Sequence, residues 1–483
     1  MTLVETRCGT VEGIEKQGAL HFRGIPFAAP PVGDLRWLPP QPAEPWTGVR
    51  RADQFGPVAP QGTNRFAFLA TAEEREVSEA GCLTLNVLTP GVDGDPRPVL
   101  FWIHGGGFTG GTGRTPWYDG TSFAAHGMVV VTINYRLGAL GFLHLGDELP
   151  GSGNCGLLDQ VAALEWVRDN IAGFGGDPGN VTVFGESAGG MSIGSLLGLP
   201  AASGLFHQAA LQSGAAASVN TRERAAEVAE LTIGKVGGLG ALRAAPWERL
   251  VEVQAEVALE LQRGAGGLPY MPVVDGVVLP RPPLESVQAG SAAPVRLLTG
   301  TNRDEMTLFL YSGPGATDLD EDAAVRRLER VSPGAGRSLY DAYRAELGAS
   351  ARPADVWVAV ETDRVFRIPA IRLASAQARH TSEVWMYLFT WESPALDGAL
   401  RSCHALEIPF VWNSLAPGSN GFTGSGPQAD ALASEMNGAW AAFAASGDPG
   451  WERYDEGRRA TRVFGLGAGT VEDPMSARRR LWD

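Results

Sequence analysis

The pentad Gly185-Glu186-Ser187-Ala188-Gly189 sets a serine in a tight turn. The apolar run Asn180 to Phe184 ends directly before it, and a helix-compatible stretch, Met191 to Leu199, follows. A G-x-S-x-G pattern alone is weak, but strand, turn and helix in immediate succession are what a nucleophile elbow requires. Glycines at 185 and 189 avoid side-chain clashes where strand and helix meet. The helix N-terminus then aims its amides at the oxyanion that forms when a hydroxyl attacks a carbonyl. A Gly-Ser turn without chemistry is the plainer reading, and the flanking elements argue against it. His104-Gly105-Gly106-Gly107-Phe108 follows a second apolar run, Pro98 to Ile103. Consecutive glycines let backbone N–H groups approach a substrate closely. Gly106, Gly107 and Ala188 are therefore the expected oxyanion-hole donors. A glycine run by itself suits a flexible loop or phosphate cradle equally well, but not beside an elbow.

These residues need a scaffold. The N-terminal third alternates short apolar runs with turn residues, as antiparallel strands do. Pro98–Ile103 and Met128–Ile133 are apolar on both faces, which suits central strands covered by helices. Between Leu157 and Phe174, the residues Leu158, Val161, Ala162, Leu164, Trp166 and Ile171 recur at helical spacing up to the stop Gly175-Gly176-Asp177-Pro178. This is the βαβ rhythm of a mostly parallel sheet in an α/β protein. Residues 220–265 read as helices, 295–298 and 384–389 as strands, and 430–446 as a late helix. No composition break divides the chain, so 1–483 is expected to be one domain.

Bulk properties exclude more than they assign. The 483 residues are 44% hydrophobic and 19% charged, ordinary for a soluble globular protein. A net charge of −15 argues against nucleic acid as a partner. The four cysteines, Cys8, Cys82, Cys155 and Cys403, fit neither a zinc pattern nor a disulfide framework. Neither a signal-peptide pattern nor an apolar membrane span is visible, so a cytoplasmic monomer is expected, without cofactor, metal or membrane. Lysine stands only at 16 and 235 against abundant arginine, as in a GC-rich bacterial genome.

In sum of its motifs the chain resembles the type-B carboxylesterase family, which includes cholinesterases and bacterial p-nitrobenzyl esterases. The likeness rests on Phe22-Arg23-Gly24-Ile25-Pro26-Phe27-Ala28, Cys82-Leu83-Thr84-Leu85-Asn86-Val87 and the glycine run. It continues through Asn134-Tyr135-Arg136-Leu137-Gly138, Gly156-Leu157-Leu158-Asp159-Gln160, Phe174 to Pro178, and the elbow. The resemblance implies an α/β-hydrolase fold: a large, mostly parallel central sheet flanked by helices, with helical insertions. It also implies hydrolysis of carboxylic esters of small uncharged substrates through an acyl-enzyme on Ser187.

The family acid falls in Gly300-Thr301-Asn302-Arg303-Asp304-Glu305, and the resemblance selects Glu305, which residue chemistry alone does not separate from Asp304. The family histidine falls in Cys403-His404-Ala405-Leu406-Glu407, giving His404. Elimination agrees, because only His207, His380 and His404 follow Ser187, and the fold's order is serine, acid, histidine. His207 reads as a core histidine and His380 as a solvated one. Glu186, Ser213 and Glu407 resemble supporting residues, and Arg36 with Glu79 a structural ion pair. Met306 and Ala405 stand where the family has glycines. The choline-binding tryptophan has no counterpart in Phe68 to Glu73, which argues against a cholinesterase. Cys82 matches a disulfide-bonded cysteine of secreted relatives, but no partner lies nearby upstream.

Several patterns are decoys. Gly151 to Gly156 matches G-x-G-x-x-G without the preceding strand a dinucleotide site needs. Asp318, Asp320, Asp322 and Glu329 match acidic positions of a calcium loop, yet Ala323 occupies its glycine position. They read instead as an acidic helix start, and Arg478-Arg479-Arg480 as a solvated terminus. Trp117, Phe108, Leu308, Phe309 and Phe366 are candidate pocket linings, with core packing the commoner role for such residues. Amide, thioester or carbamate hydrolysis by the same triad is the alternative chemistry. A non-catalytic, esterase-like binding protein is disfavoured by the intact triad.

Overall fold

The computed structural model describes residues 2–62, 75–262, 267–312, 319–415 and 420–483. Its strands are β1 (Thr2–Thr6), β2 (Gly9–Lys16), β3 (Ala19–Pro26), β4 (Val49–Arg51), β5 (Thr84–Thr89), β6 (Arg97–Ile103) and β7 (Val129–Ile133). They continue with β8 (Gly176–Glu186), β9 (Gln208–Gln212), β10 (Arg296–Asn302), β11 (Val384–Phe389), β12 (Ala460–Phe464) and β13 (Gly469–Glu472). Among the described residues all thirteen join one sheet, ordered β1-β2-β3-β5-β7-β6-β8-β9-β10-β11-β12-β13, with β4 beside β2.

From β7 to β12 every neighbouring pair is parallel, while β1-β2-β3-β5-β7 and β12-β13 are antiparallel. The sequence explains the division. All residues of β7 (VVVTI), β9 (QAALQ) and β11 (VWMYLF) are buried, as strands with helices on both faces must be. Two large apolar layers pack on the two faces of this sheet. This is the expected α/β architecture, and it sends the chain out repeatedly at one edge. The glycine run follows β6, the elbow follows β8, Glu305 follows β10, and His404 lies in the chain after β11. Side chains at the carboxyl ends of parallel strands converge there, the usual ligand-binding edge of an open α/β sheet.

Local details differ from expectation for identifiable reasons. The helix predicted over Leu157–Phe174 is α-helical over Cys155–Asn170 and closes in a 3₁₀ turn, Ile171–Phe174. Its buried side is not a single stripe: Leu157, Ala163 and Val167 are buried, whereas Leu158 and Ala162 are only half-buried. The helix packs on β8 and also against helices Gly138–Phe142 and Ala188–Leu196, so more than one face is covered. The helix after the elbow begins at Ala188 rather than Met191, and carries two glycines in its first turn. Tertiary packing overrides their poor helix propensity. A Cβ on Gly189 would lie 1.9 Å from the Ile103 carbonyl oxygen, and one on Gly190 2.9 Å from that of Gln212.

Residues 220–265 contain the expected helices Arg222–Val236, Leu239–Ala244 and Trp247–Gln262. The late helix runs Pro427–Ser446. Asp318 lies outside the described residues. Asp320 caps the helix Glu321–Val331 by accepting the Ala323 N–H at 2.7 Å. The arginine tail is not a solvated terminus. Arg478 and Arg479 are buried because the carboxylates of Asp363, Asp473 and Asp483 draw them in, and only Arg480 is exposed. Among the described residues no helix is long and apolar enough to cross a membrane.

Candidate active site

Ser187 sits between β8 and the helix Ala188–Leu196 with φ 54° and ψ −122°. Such a conformation costs about 1–3 kcal/mol and persists only where the surroundings enforce it. Here they do. The Ser187 N–H donates to the Gln212 carbonyl at 2.9 Å, and its own carbonyl accepts from Met191 N–H at 2.8 Å. Glycines at 185, 189 and 214 admit the backbone of Ile103 and of the elbow itself at distances no side chain tolerates. Ser187 is half-buried, while its neighbours Glu186 and Ala188 are fully enclosed, so the turn presents this one side chain.

Glu305 and His404 are brought together by two loops fastened to each other. Asp304 N–H donates to the Ser402 carbonyl at 2.9 Å, His404 N–H to the Glu305 carbonyl at 3.3 Å, and Asn302 Nδ2 to the Cys403 carbonyl at 2.7 Å. The Glu305 carboxylate, wholly buried, contacts His404 Nδ1 through Oε2 at 2.7 Å. Its Oε1 accepts Ser213 Oγ–H at 2.6 Å and Asn302 N–H at 2.7 Å. Asp304 points elsewhere: its carboxylate pairs with Arg303 at 2.8 Å. Of these two neighbouring acids, Glu305 is the one in contact with His404. The Phe309 and Phe366 rings flank the imidazole, with centroids 5.0 and 4.8 Å away.

The other face of the imidazole meets a second buried acid. Glu186 Oε1 lies 3.0 Å from His404 Nε2 without hydrogen-bond geometry, and no hydrogen bond joins Ser187 to His404 among the described residues. Burial pushes Glu186 up to about 8, with His404 opposing and Glu407 and Glu305 adding to the rise. Glu407, held by Asn302 Nδ2 at 2.6 Å and Gln212 Nε2 at 3.2 Å, is pushed up to about 7, again chiefly by burial. Burial lowers His404, but Glu186, Glu305 and Glu407 outweigh it and raise the imidazole to about 9. A Glu186 that keeps its proton at neutral pH exerts no charge on His404, which leaves Glu305 as the anion that raises it.

Across the cleft, Gly106 is exposed and Gly107 half-buried, with φ of 113° and 61°. No acceptor is recorded for the N–H groups of Gly106, Gly107 or Ala188 among the described residues, so the three donors stand open. The loop that holds them is braced from several sides. His104 Nδ1 contacts the Gly105 carbonyl at 2.8 Å, its ring stacks on Tyr135, and Tyr135 Oη donates to the His104 carbonyl at 2.9 Å. Burial lowers His104 to about 4, so it braces the loop as a neutral imidazole. Gln61 binds both backbone groups of Gly111 at 2.9 Å. Among the described residues a carboxylate-oriented imidazole, a half-buried, strained serine and three unpaired amides thus share one edge of the sheet, an arrangement suited to acyl transfer.

The model of the carboxylesterase family matches residues 1–464. The para-nitrobenzyl esterase of Bacillus subtilis is 37% identical over 99% of this chain and 98% of its own length. A phenmedipham hydrolase of Pseudarthrobacter oxydans is 38% identical over 92% and 90%. Carboxylesterase EST55 of Geobacillus stearothermophilus, solved at pH 6.2, superposes with a TM-score of 0.90 at 42% identity, covering all of both chains. The chain belongs to the carboxylesterase family. It is a carboxylic-ester hydrolase with the α/β-hydrolase fold.

In this esterase Ala405 takes the left-handed conformation, φ 65°, at the position where the resemblance places a glycine. An L-residue there carries about 1–2 kcal/mol of strain beside the histidine. Met306 needs no such freedom, since it begins the helix Met306–Tyr311 and its N–H donates to Thr362 Oγ1 at 3.2 Å. Arg36 and Glu79 form the expected two-pronged pair, 2.6 Å at each contact. The segment Phe68 to Glu73, expected to lack the choline-binding tryptophan, lies outside the described residues. Cys82 is a buried free thiol. His207 is half-buried and accepts the Val181 N–H at 3.1 Å, while His380 is exposed.

Of the five candidate linings, Phe309 and Phe366 contact His404, and the others pack as core residues do. Phe108 packs on Phe142, Leu308 is in the core, and Trp117 stacks on Phe422. Sequence reasoning missed Asn302, Gln212 and Gln61, whose amides hold the acids and the glycine loop. It also missed Leu268, whose Cδ2 would touch a Cβ on Gly107 at 3.5 Å. Ordinary polar and aliphatic residues carry no motif that marks them.

Proposed function

We propose that this esterase cleaves carboxylic esters of small uncharged substrates through an acyl-enzyme on Ser187, with His404 as base and Glu305 as its acid. The observation that carries the reading is the buried 2.7 Å contact of Glu305 with His404 Nδ1, which leaves Nε2 directed toward the elbow. Glu305 fixes the tautomer with the proton on Nδ1 and stabilises the imidazolium that forms. As substrate enters, His404 Nε2 turns from Glu186 to Ser187 Oγ and takes its proton while the oxygen attacks the ester carbonyl. Catalytic hydrogen bonds commonly tighten only in the substrate complex. Gly106, Gly107 and Ala188 N–H groups receive the oxyanion, and His404 returns the proton to the departing alcohol. Water then adds to the acyl-enzyme with His404 again as base. Ser213 positions Glu305, while Glu186 and Glu407 are protonatable neighbours of the base.

We further read 1–483 as one catalytic domain, a view supported by the sheet that runs from β1 to β13. A bacterial cytoplasmic setting and a monomer that binds no nucleic acid fit the four free cysteines and the net charge of −15.

The test is hydrolysis of p-nitrophenyl esters from acetate to decanoate by wild type and Ser187→Ala, with matched anilides and carbamates alongside. Ester activity that disappears in the variant supports the reading, and the chain-length optimum sizes the acyl pocket. Undiminished activity in folded Ser187→Ala sinks it, and turnover confined to anilides or carbamates moves the substrate class.

A further inference from the structure

The helix Pro353–Thr362 passes into the helix Ile368–Ala378 through one π-helical turn, Asp363–Arg367. Such turns recur at functional sites; this one packs on His404, and the residue just before it bonds the residue after Glu305. Thr362 Oγ1 accepts the N–H of Met306, the residue after Glu305, at 3.2 Å. Phe366 lays its ring against His404 at 4.8 Å and is itself buried.

What holds the turn comes from the far end of the chain. Asp363, wholly buried, accepts Arg367 Nε at 2.6 Å, Tyr343 Oη at 2.6 Å and Arg478 Nε at 3.0 Å. Trp482 Nε1 donates to Tyr343 Oη at 2.6 Å, and Arg367 Nη1 to the Pro474 carbonyl at 3.1 Å. Residues 474–482 thus close over the turn, and Arg478 is the charged group that ties this segment to it.

We infer that Arg478 is a positioning residue for hydrolysis: through Asp363 it fixes the turn that seats Phe366 on His404. The inference rests on the assignment of His404 as base. Losing Arg478 frees Asp363 Oδ2 of one donor and untethers the tail, yet the remaining Asp363–Arg367 pair stays charge-balanced. A buried carboxylate with a matched arginine is tolerated, whereas an unmatched charge is not. Arg478→Met is therefore the variant that disturbs the turn while sparing the fold.

The experiment measures kcat and KM for p-nitrophenyl butyrate well below each variant's melting temperature, with active sites counted by a phosphonate titrant. Wild type, Arg478→Met, Arg478→Lys, Tyr343→Phe and His404→Ala are compared. Misplaced catalytic groups lose turnover steeply, up to about a hundredfold for ~1 Å. The expected result is kcat per titrated site about tenfold lower in Arg478→Met, KM within about twofold of wild type, and most of the loss restored by Arg478→Lys. If Arg478→Met does not fold, Tyr343→Phe is expected to show the same kcat-only loss, about threefold. Unchanged kcat per site, or a loss confined to KM, overturns the inference. Activity that survives His404→Ala would instead overturn the assignment of the base on which it rests.

Discussion

Replacing Glu305 by glutamine separates the two adjacent acids and puts a number on the buried carboxylate. The amide keeps the size of the side chain but not its charge. Its oxygen must still receive Ser213 Oγ–H and Asn302 N–H, now at 2.6 and 2.7 Å from Oε1. That leaves the amide –NH₂ facing His404 Nδ1, where two donors oppose each other. The imidazole relieves the clash by moving its proton to Nε2, the nitrogen that must accept from Ser187. Charge adds to this: unit charges about 4 Å apart at an effective dielectric near 20 interact by about 4 kcal/mol. Loss of tautomer and charge together in such a triad lowers kcat by about 10⁴-fold. We expect Glu305→Gln to lose about 10³- to 10⁴-fold in kcat with KM within about threefold. The acid limb of the residual pH profile should move down, because the carboxylate that raised the imidazole is gone. Asp304→Asn, whose carboxylate faces Arg303, should stay within about threefold of wild type. Steady-state assays on p-nitrophenyl butyrate from pH 5 to 10 read both variants. Retention of more than a tenth of kcat by Glu305→Gln, or an equal loss in Asp304→Asn, refutes the reasoning.

Three further outcomes are expected. Burial pushes Glu186 up to about 8; with its proton retained at pH 7, Glu186→Gln should leave the acid limb of kcat/KM within about half a unit. An ionised Glu186 would be raising His404, and the limb would then fall by a unit or more in the variant. Gly106→Ala places a Cβ 2.3 Å from the Gly110 carbonyl oxygen and should reduce kcat by about 10²- to 10³-fold by dislodging a donor; a loss under threefold would remove Gly106 from the oxyanion hole. Arg136 and Asp159 form an almost fully buried pair, 2.7 Å apart. Arg136→Met should therefore lower unfolding free energy in urea by about 3–5 kcal/mol, and a loss below 1 kcal/mol would show the pair to be dispensable.

The legible parts of this protein were those with local causes. The elbow could be read because Gly185, Gly189 and Ser187 lie side by side between an apolar strand and a helix, and close backbone approach demands the glycines. The central strands are legible because strands buried on both faces are mostly apolar runs, with only a few buried polar residues such as Gln208, Gln212 and Thr132 among them. Resemblance alone favours Glu305 over Asp304 in the sequence, whereas the contacts that set them apart, Glu305 on His404 and Asp304 on Arg303, exist only in three dimensions. Periodicity locates the helix Cys155–Asn170 but not its buried faces, since it assumes one covered side. Arg478 and Arg479 looked solvated because their partners, Asp363 and Asp473, are charges the sequence cannot bring near. Phe366 on His404 belongs to the same class: 38 residues separate them, and no motif marks the turn that joins them.

The most direct test of the account is covalent. Wild type and Ser187→Ala are incubated with diethyl p-nitrophenyl phosphate, and intact mass and peptide maps are recorded. The account predicts one diethylphosphoryl group per chain, on the peptide that contains Ser187, with activity lost in proportion to labelling and no label in the variant. Inactivation that leaves Ser187 unmodified, or stoichiometric labelling of another residue, would contradict it.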